Sequence, residues 1–389
     1  MRRSLLPALL FVAFGSQPAE VTGAVFDDAN GNGTRDAGER GIAGVAVSNQ
    51  ADVVVTDASG AFRISRGTTG IVFVSVPDGF RAAGAFWKTV ARATASLDFA
   101  LAAAPRVTDF TFIHASDTHV APPVAERSLR LVAIADSVKP AFTIITGDLV
   151  RDALRVGEAE ATGYYDLFAS IVARFTRPVF TVPGNHENFG IERDKSKVSE
   201  SHPLYGRAMY RHYRGPDYYS FTYGGVHFVG LNSVDIADQW YYGHVDSVQV
   251  EWLKRDLAAI PATMPVVTFN HIPFFTAVEA MNGYTEAPPA PTLITVGGKT
   301  QYRHTVSNAK EIVALIGTQR YPIALGGHMH IRELIRYPGV NTRFYQTAAV
   351  VGPSGSGPLR FPSGVTVYRV HDGVIDDGTF VPIDPLPRP

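Results

Sequence analysis

The sequence predicts an α/β domain preceded by a small all-β sandwich. Three observations lead there. From Val21 to Leu101 only short β-branched runs appear, separated by Asp, Gly and Ser. Beyond residue 108, strand-like apolar runs alternate with stretches of helical spacing, and five of those runs end in Asp, Asn or His.

The chain of 389 residues is long enough for two domains. A formal net charge of −1, with no basic run, leaves no nucleic-acid-binding signature and no reason to expect an anionic membrane as partner. Met1-Arg2-Arg3 precedes the apolar run from Leu5 to Phe14, and Ala13 and Gly15 are small residues just before Ser16. That is the order of a secretory signal peptide over residues 1–15, too short to span a bilayer. Export is therefore expected, to the periplasm or the medium. No transmembrane segment is expected after signal removal, because no later stretch has 18 uncharged apolar residues. The absence of Cys excludes disulfides and a lipid-modified Cys at the cleavage site.

The all-β domain is placed at 20–102, with strands expected at 21–26, 45–48, 53–56, 61–64 and 71–76. Between the first two lies Asp28-x-Asn30-x-Asn32-Gly33-x5-Glu39, the spacing of a calcium loop. Asp28, Asn30, Asn32, Thr34, Asp36 and Glu39 would supply oxygens and Gly33 the sharp turn. The flanks read as strands, so this is a calcium loop in a β-domain and not an EF-hand. The stretch VFDDANGNGTRDAGERGIAGVAV resembles the B-type repeats of bacterial surface adhesins, and VVVTDASGAFRIS resembles prealbumin-like modules. Residues 103–107, small and Pro-containing, are read as the linker.

The second domain is placed at 108–384. A strand at 108–114 is followed by a helix at 124–135, a strand at 142–146, a helix near 158–175 and the run 179–182. This order argues for sheets carrying helices on their outer faces. A hairpin turning at Gly224-Gly225, a helix at 246–259 and a strand at 265–270 come next. The polar and aromatic connection 188–217 reads equally as a pocket wall or as simple surface cover, and with the connection 274–303 it is the candidate control of substrate choice. Short strands and a Pro-rich tail are expected at the end.

The chemistry gathers at the five strand ends: Asp117 and His119; Gly147-Asp148; Gly184-Asn185-His186-Glu187; His271; and Gly327-His328-Met329-His330. In layered α/β folds the ligand crevice lies beyond the carboxyl ends of the strands, so these groups can meet. Singly, each His is as well explained by a structural hydrogen bond; together, the set has the composition of a two-metal site. His114, His202, His212, His227, His244, His304 and His371 fall outside the pattern and are read as structural.

The order and spacing of these blocks resemble the calcineurin-like metallophosphoesterase superfamily, from about residue 108 to beyond 350. The resemblance implies a four-layer αββα sandwich and two divalent or trivalent transition-metal ions, manganese, iron or zinc. It implies Asp117, His119 and His330 as ligands of one ion, Asn185, His271 and His328 as ligands of the other, and Asp148 as the bridge. A hydroxide held between the metals would attack phosphorus, with His186 protonating the leaving group. Asp148, Asn185 and His186 are thus the expected catalytic residues. Related purple acid phosphatases carry a Tyr three residues after the bridging Asp. Arg151 stands there in this chain, so a tyrosinate-iron site is rejected. The expected substrate is a small-molecule or cell-envelope phosphate ester, a phosphodiester before a phosphomonoester. The alternative of another class is an inactive surface-binding module.

Overall fold

The structure is a computed structural model and describes residues 20–91, 96–288, 290–355 and 360–384. The expected signal peptide lies outside the described residues. Eight strands form the amino-terminal unit: β1 (Glu20–Asp27), β2 (Ala46–Ser48), β3 (Val53–Val55), β4 (Ala61–Ser65), β5 (Ile71–Val74), β6 (Phe80–Ala82), β7 (Trp87–Thr89) and β8 (Phe99–Ala103). They make two four-stranded sheets, β4-β1-β8-β6 and β3-β2-β5-β7. Val25, Val47, Val72, Phe99 and Leu101 fill the space between them. The last three of these strands were missed in the sequence, and β8 runs into the first residue of the expected linker.

The second unit opens with β9 (Asp109–Ala115), α1 (Ala125–Val138), β10 (Phe142–Thr146), α2 (Glu158–Val172) and β11 (Val179–Val182). α3 (Arg193–Ser196) and α4 (Arg207–Arg214) then lead to the hairpin of β12 (Tyr219–Tyr223) and β13 (Val226–Gly230). A second hairpin, β14 (Val234–Ala237) and β15 (Trp240–Gly243), precedes α5 (Ser247–Ala258) and β16 (Pro265–Phe269). α6 (Val278–Asn282), the hairpin β17 (Leu293–Val296) and β18 (Lys299–Tyr302), and α7 (Ala309–Ile316) come before β19 (Arg320–Gly326). The chain closes with β20 (Glu333–Arg336), β21 (Arg343–Gln346), β22 (Gly364–His371), β23 (Val374–Ile375) and β24 (Thr379–Pro382).

Two six-stranded sheets result. One runs β11-β10-β9-β22-β23, with β24 on β22; the other runs β12-β13-β16-β19-β21-β20. β10 is buried on both faces: Phe142 and Ile144 point to the second sheet, Ile145 to α1 and α2. Trp252, Leu253 and Leu257 of α5 and Ile312 and Ile316 of α7 extend the core between and around the sheets. Helix, sheet, sheet, helix is the expected αββα layering.

Two stretches hold more structure than the sequence suggests. The connection 188–217 contains α3 and α4 and sends Phe189, Ile191, Met209 and Tyr210 into the core, with the Tyr210 hydroxyl on Thr181. It covers the edge of the first sheet. The end of the chain holds more than short strands, because β22 inserts antiparallel beside β9 at the middle of the first sheet.

The two units share a core. Phe73 packs on Trp252 at 6.3 Å between ring centroids and Phe86 on Tyr219 at 5.0 Å. Thr222 N–H donates to the Val76 carbonyl at 2.8 Å, bridging β12, an edge strand of its sheet, to the residues just past β5. At the centre of the contact Asp217, fully buried, accepts Gln50 Nε2 at 2.9 Å, Arg211 Nε at 2.8 Å and Nη2 at 3.0 Å, and Asn232 Nδ2 at 3.0 Å. Burial pushes its carboxyl up, but Arg211 outweighs this and holds it at about 2. A carboxyl lowered in the folded state stabilises the fold above its unfolded value and stops doing so as pH falls through the folded one. Between roughly pH 4 and 2 this group should therefore withdraw about 2 kcal/mol. Asp217→Ala, which leaves Arg211 facing a void, should cost about 3 kcal/mol at pH 7 in a urea titration. A loss under about 1 kcal/mol would show that this network does not tie the units together.

Candidate metal centre

β9, β10 and β11 of the first sheet and β16 and β19 of the second all end at one side of the molecule. The residues that follow are bent sharply inward. Asp117 (φ 54°), His119 (φ 39°), Asp148 (φ 48°), His328 (φ 72°) and His330 (φ 56°) all lie in the left-handed region without being glycine. Each such residue costs on the order of 1 kcal/mol and persists only where its surroundings over-determine it. Glycines beside them permit the crowding. A Cβ on Gly184 would overlap Asp148 Oδ1, and one on Gly327 would overlap the Ser116 hydroxyl.

All seven predicted ligands meet there. His330 Nε2 lies 3.2 Å from Asp117 Oδ1 and 3.2 Å from His119 Nε2. His119 Nε2 is in turn 3.5 Å from Asp148 Oδ2. On the other side, His271 Nε2 is 3.2 Å from Asp148 Oδ1, 3.1 Å from Asn185 Oδ1 and 3.2 Å from His328 Nδ1. The two oxygens of Asp148 are thus divided between two groups of ligand atoms, Asp117, His119, Asp148 and His330 in one and Asp148, His271 and His328 in the other. Ligand atoms about 2.1 Å from a shared transition-metal ion stand roughly 3.0–3.5 Å apart in octahedral or tetrahedral arrangement, which these separations match.

The residues fit two cations by a second criterion. Asp117 is fully buried, and its Oδ1 makes no well-aligned hydrogen bond, facing the imidazole nitrogens of His330 at 3.2 Å and His119 at 3.9 Å. A buried carboxylate oxygen ringed by imidazole nitrogens is suited to share a cation with them.

Electrostatics prepare the donors. Burial pushes the Asp148 carboxyl up, but His271 and His186 outweigh it and hold the group well below the usual carboxylate range. Asp117 is lowered in the same way, His330 outweighing burial. Burial brings His119 down to about 4, and burial with His304 and His271 holds His328 well below the usual imidazole range. Both rings are therefore neutral at pH 7, the form with a lone pair to give. His271 is raised to about 9, because Asp148 outweighs its burial.

His186 stands beside the first group, its ring centroid 4.7 Å from that of His119 and its Nε2 3.9 Å from Asp148 Oδ2. Its Nδ1 is 2.6 Å from the Arg151 carbonyl, an acceptor that places the proton on Nδ1 and turns Nε2 toward the centre. The Arg151 side chain is exposed, so its backbone and not its charge enters the site.

Two contributors were not assigned from sequence. Glu187, buried, accepts Leu149 N–H at 2.8 Å and Val150 N–H at 3.0 Å on one oxygen and Gly184 N–H at 2.6 Å on the other. It ties the turn carrying Asp148 to the turn carrying Asn185; its place inside Gly184-Asn185-His186-Glu187 was the available signal. His304 was read as structural, yet its Nδ1 is 2.7 Å from His328 Nε2. Its position just past the connection 274–303 was the only hint. The remaining histidines keep structural partners where these are seen, as with His227 between Thr222 and Asp256.

The loop 28–39 follows β1 and runs back into strand pairing at Gly41. Asp28 is buried and accepts Gly31, Asn32 and Gly33 N–H groups; Asn30 and Asn32 donate to Asp36, and Glu39 accepts Ala29 and Asp36 N–H groups. Thr34 is exposed there, its N–H on Asn32.

Residues 110–332 match the family model described as calcineurin-like phosphoesterase. The chain belongs to this family. With its ligand set it is a metal-dependent phosphoester hydrolase with a dimetal centre. Residues 29–104 match the model described as the N terminal of calcineurin-like phosphoesterase. The adhesin-repeat likeness is not confirmed by the comparisons. Among solved structures, a dimetal phosphatase from Danio rerio is 13% identical over 71% of this chain and 99% of its own, with a TM-score of 0.46. PhoD is 13% identical over 84% of this chain and 77% of its own, TM-score 0.44. The phosphopantetheinyl hydrolase of Mycobacterium tuberculosis is 16% identical over 62% and 91%, TM-score 0.37. These likenesses are distant, and the family assignment rests on the sequence models. None of the curated proteins compared matches the chain.

Proposed function

We propose that this phosphoesterase is exported and hydrolyses a small-molecule or cell-envelope phosphate ester, a phosphodiester before a monoester. The division of the Asp148 carboxylate between two ligand groups carries the reading. When bound, two transition-metal ions, manganese, iron or zinc, would lower the pKa of a water between them and neutralise phosphoryl charge. The chain's own residues do the rest. Asp148 holds the two groups in register, Asn185 and His271 orient one of them, and His186 carries a proton at Nε2 to the departing oxygen.

A diester is favoured over a monoester by the charge around the site. A dianionic monoester calls for cations beyond the metals. The wall beside His328 consists instead of the neutral ring of His304 and the ring of Tyr241. Arg303, beside this wall, is engaged by the Pro291 carbonyl and the rings of Tyr241 and Trp240. Hydrolysis of bis-p-nitrophenyl phosphate beside p-nitrophenyl phosphate by the manganese-loaded protein tests this. Faster turnover of the diester is expected, and a clear preference for the monoester would overturn it.

Export is part of the proposal, supported by the order of residues 1–15. A mature protein starting at Ser16 outside the cytoplasm is the expected finding, and an intact Met1 on the cellular product would refute it. Among the described residues no helix is long and apolar enough to cross a membrane. The loop 28–39 is proposed to bind calcium, supported by its ligand spacing. Chelation with a calcium-selective agent should then lower the melting temperature by several degrees, and an unchanged melt counts against it.

A further inference from the structure

We propose that His304 is a positioning residue for the second ligand group: its Nδ1 accepts the Nε2–H of His328 and fixes the ring so that His328 Nδ1 faces the metal centre. The inference rests on the two-metal reading above.

The direction of the hydrogen bond follows from counting protons. A neutral imidazole has one N–H and one lone pair. His328 Nδ1 faces His271 Nε2 at 3.2 Å inside the ligand group, so its lone pair belongs there and its N–H must be on Nε2. His304 Nδ1, 2.7 Å away, is then the acceptor. The rings are tilted by only 22° with centroids 4.9 Å apart. That separation is the N···N contact plus the two ring radii, so the rings lie end to end and the N–H points at the lone pair. Tyr241 sets its ring edge-on to both, at 6.0 Å from His328 and 6.4 Å from His304.

His304 itself is held firmly. Arg303 before it donates to the Pro291 carbonyl at 2.8 Å, and its guanidinium lies 4.2 Å from the Tyr241 ring centre. Val306 N–H after it donates to the Pro273 carbonyl at 3.0 Å, and Ser307 N–H to Gly243 at 2.8 Å. The segment therefore joins the hairpin of β14 and β15 to the turn that follows His271.

The second group has particular need of such support. Two carboxylates, Asp117 and Asp148, serve the first group, whereas the second has only its share of Asp148. With less charge to hold a cation, it depends more on the geometry of its neutral donors. Ligating histidines commonly donate their other N–H to a carboxylate or carbonyl, and loss of that partner typically costs about 10- to 100-fold in metal affinity. Here the partner is a neutral ring, which orients His328 without adding charge.

The test is calorimetric titration of the metal-free protein with manganese alone, comparing wild type with His304→Ala, His304→Phe and His304→Asn. The Asn oxygen falls near the position of Nδ1 and can accept the same N–H; Phe keeps the ring and removes the acceptor. Two binding events are expected in wild type. His304→Ala and His304→Phe should weaken one of them about 10- to 100-fold and leave the other unchanged. His304→Asn should recover most of the loss, and the metal-free melting temperatures of the Phe and Asn variants should agree. Affinities within twofold of wild type in the Phe variant, or equal losses in Phe and Asn, overturn the proposal while leaving the two-metal reading intact. A wild-type protein that binds no manganese overturns both.

Discussion

Asp148→Asn should remove metal from both halves of the centre at once and reduce turnover of a phosphodiester by at least about 10³-fold. The size of the effect follows from the division of this one carboxylate. One oxygen faces His119 and the other faces His271, so a single neutralisation takes a charge from each ligand group. The first would keep only Asp117, and the second would have no anionic ligand. The fold should survive. Asn tolerates the left-handed backbone at φ 48°, and its amide oxygen can still accept the His186 N–H that Oδ1 now takes at 3.0 Å. Metal analysis and kcat, measured beside the metal-free melting temperature, separate these outcomes. Two ions retained with kcat within tenfold of wild type would refute the shared-carboxylate reading.

The five strand ends were legible because each combines two strong local signals, an apolar run buried on both faces and a ligand-type residue just after it. α5 was legible by the same logic, with Asp246 capping its first turn by accepting Gln249 N–H. α4 was not. Its sequence RAMYRHYR buries only Met209 and Tyr210, so no apolar period stands out from the charge. The central place of β22 was equally hidden, because antiparallel pairing with β9 joins residues 252 positions apart, as in Thr366 with His114, and nothing local encodes it. The shared core of the two units was missed for a related reason. Phe73 and Gln50 look like ordinary residues of a small β-sandwich until Trp252 and Asp217 are placed against them.

The site shows the same division. Residues that would touch the metals were legible from type and spacing, whereas those that aim them were not. Glu187 acts through three backbone N–H groups and His304 through a ring 24 residues away in sequence. Neither relation leaves a spacing rule behind. The left-handed backbone at five of the seven ligands belongs to this hidden part: the strain is held by contacts such as Gly184 against Asp148, which exist only in the assembled turn.

His186→Gln should keep both metals and lose turnover to a degree set by the leaving group. With its Nδ1–H committed to the Arg151 carbonyl, the ring can exchange a proton only at Nε2, which faces the centre 3.9 Å from Asp148 Oδ2. That arrangement leaves Nε2 as the nitrogen that can deliver a proton to the centre. A general acid matters most where the departing oxygen is strongly basic, because proton transfer then relieves the most charge in the transition state. A diester with an alkyl leaving group should accordingly slow by about 10²–10⁴-fold, and one losing p-nitrophenolate by roughly tenfold or less. KM should change little for either, since the interaction develops only as the bond breaks. Equal losses for the two esters would remove His186 from the proton-donor role. Loss of a metal ion in the variant would instead place it among the ligands.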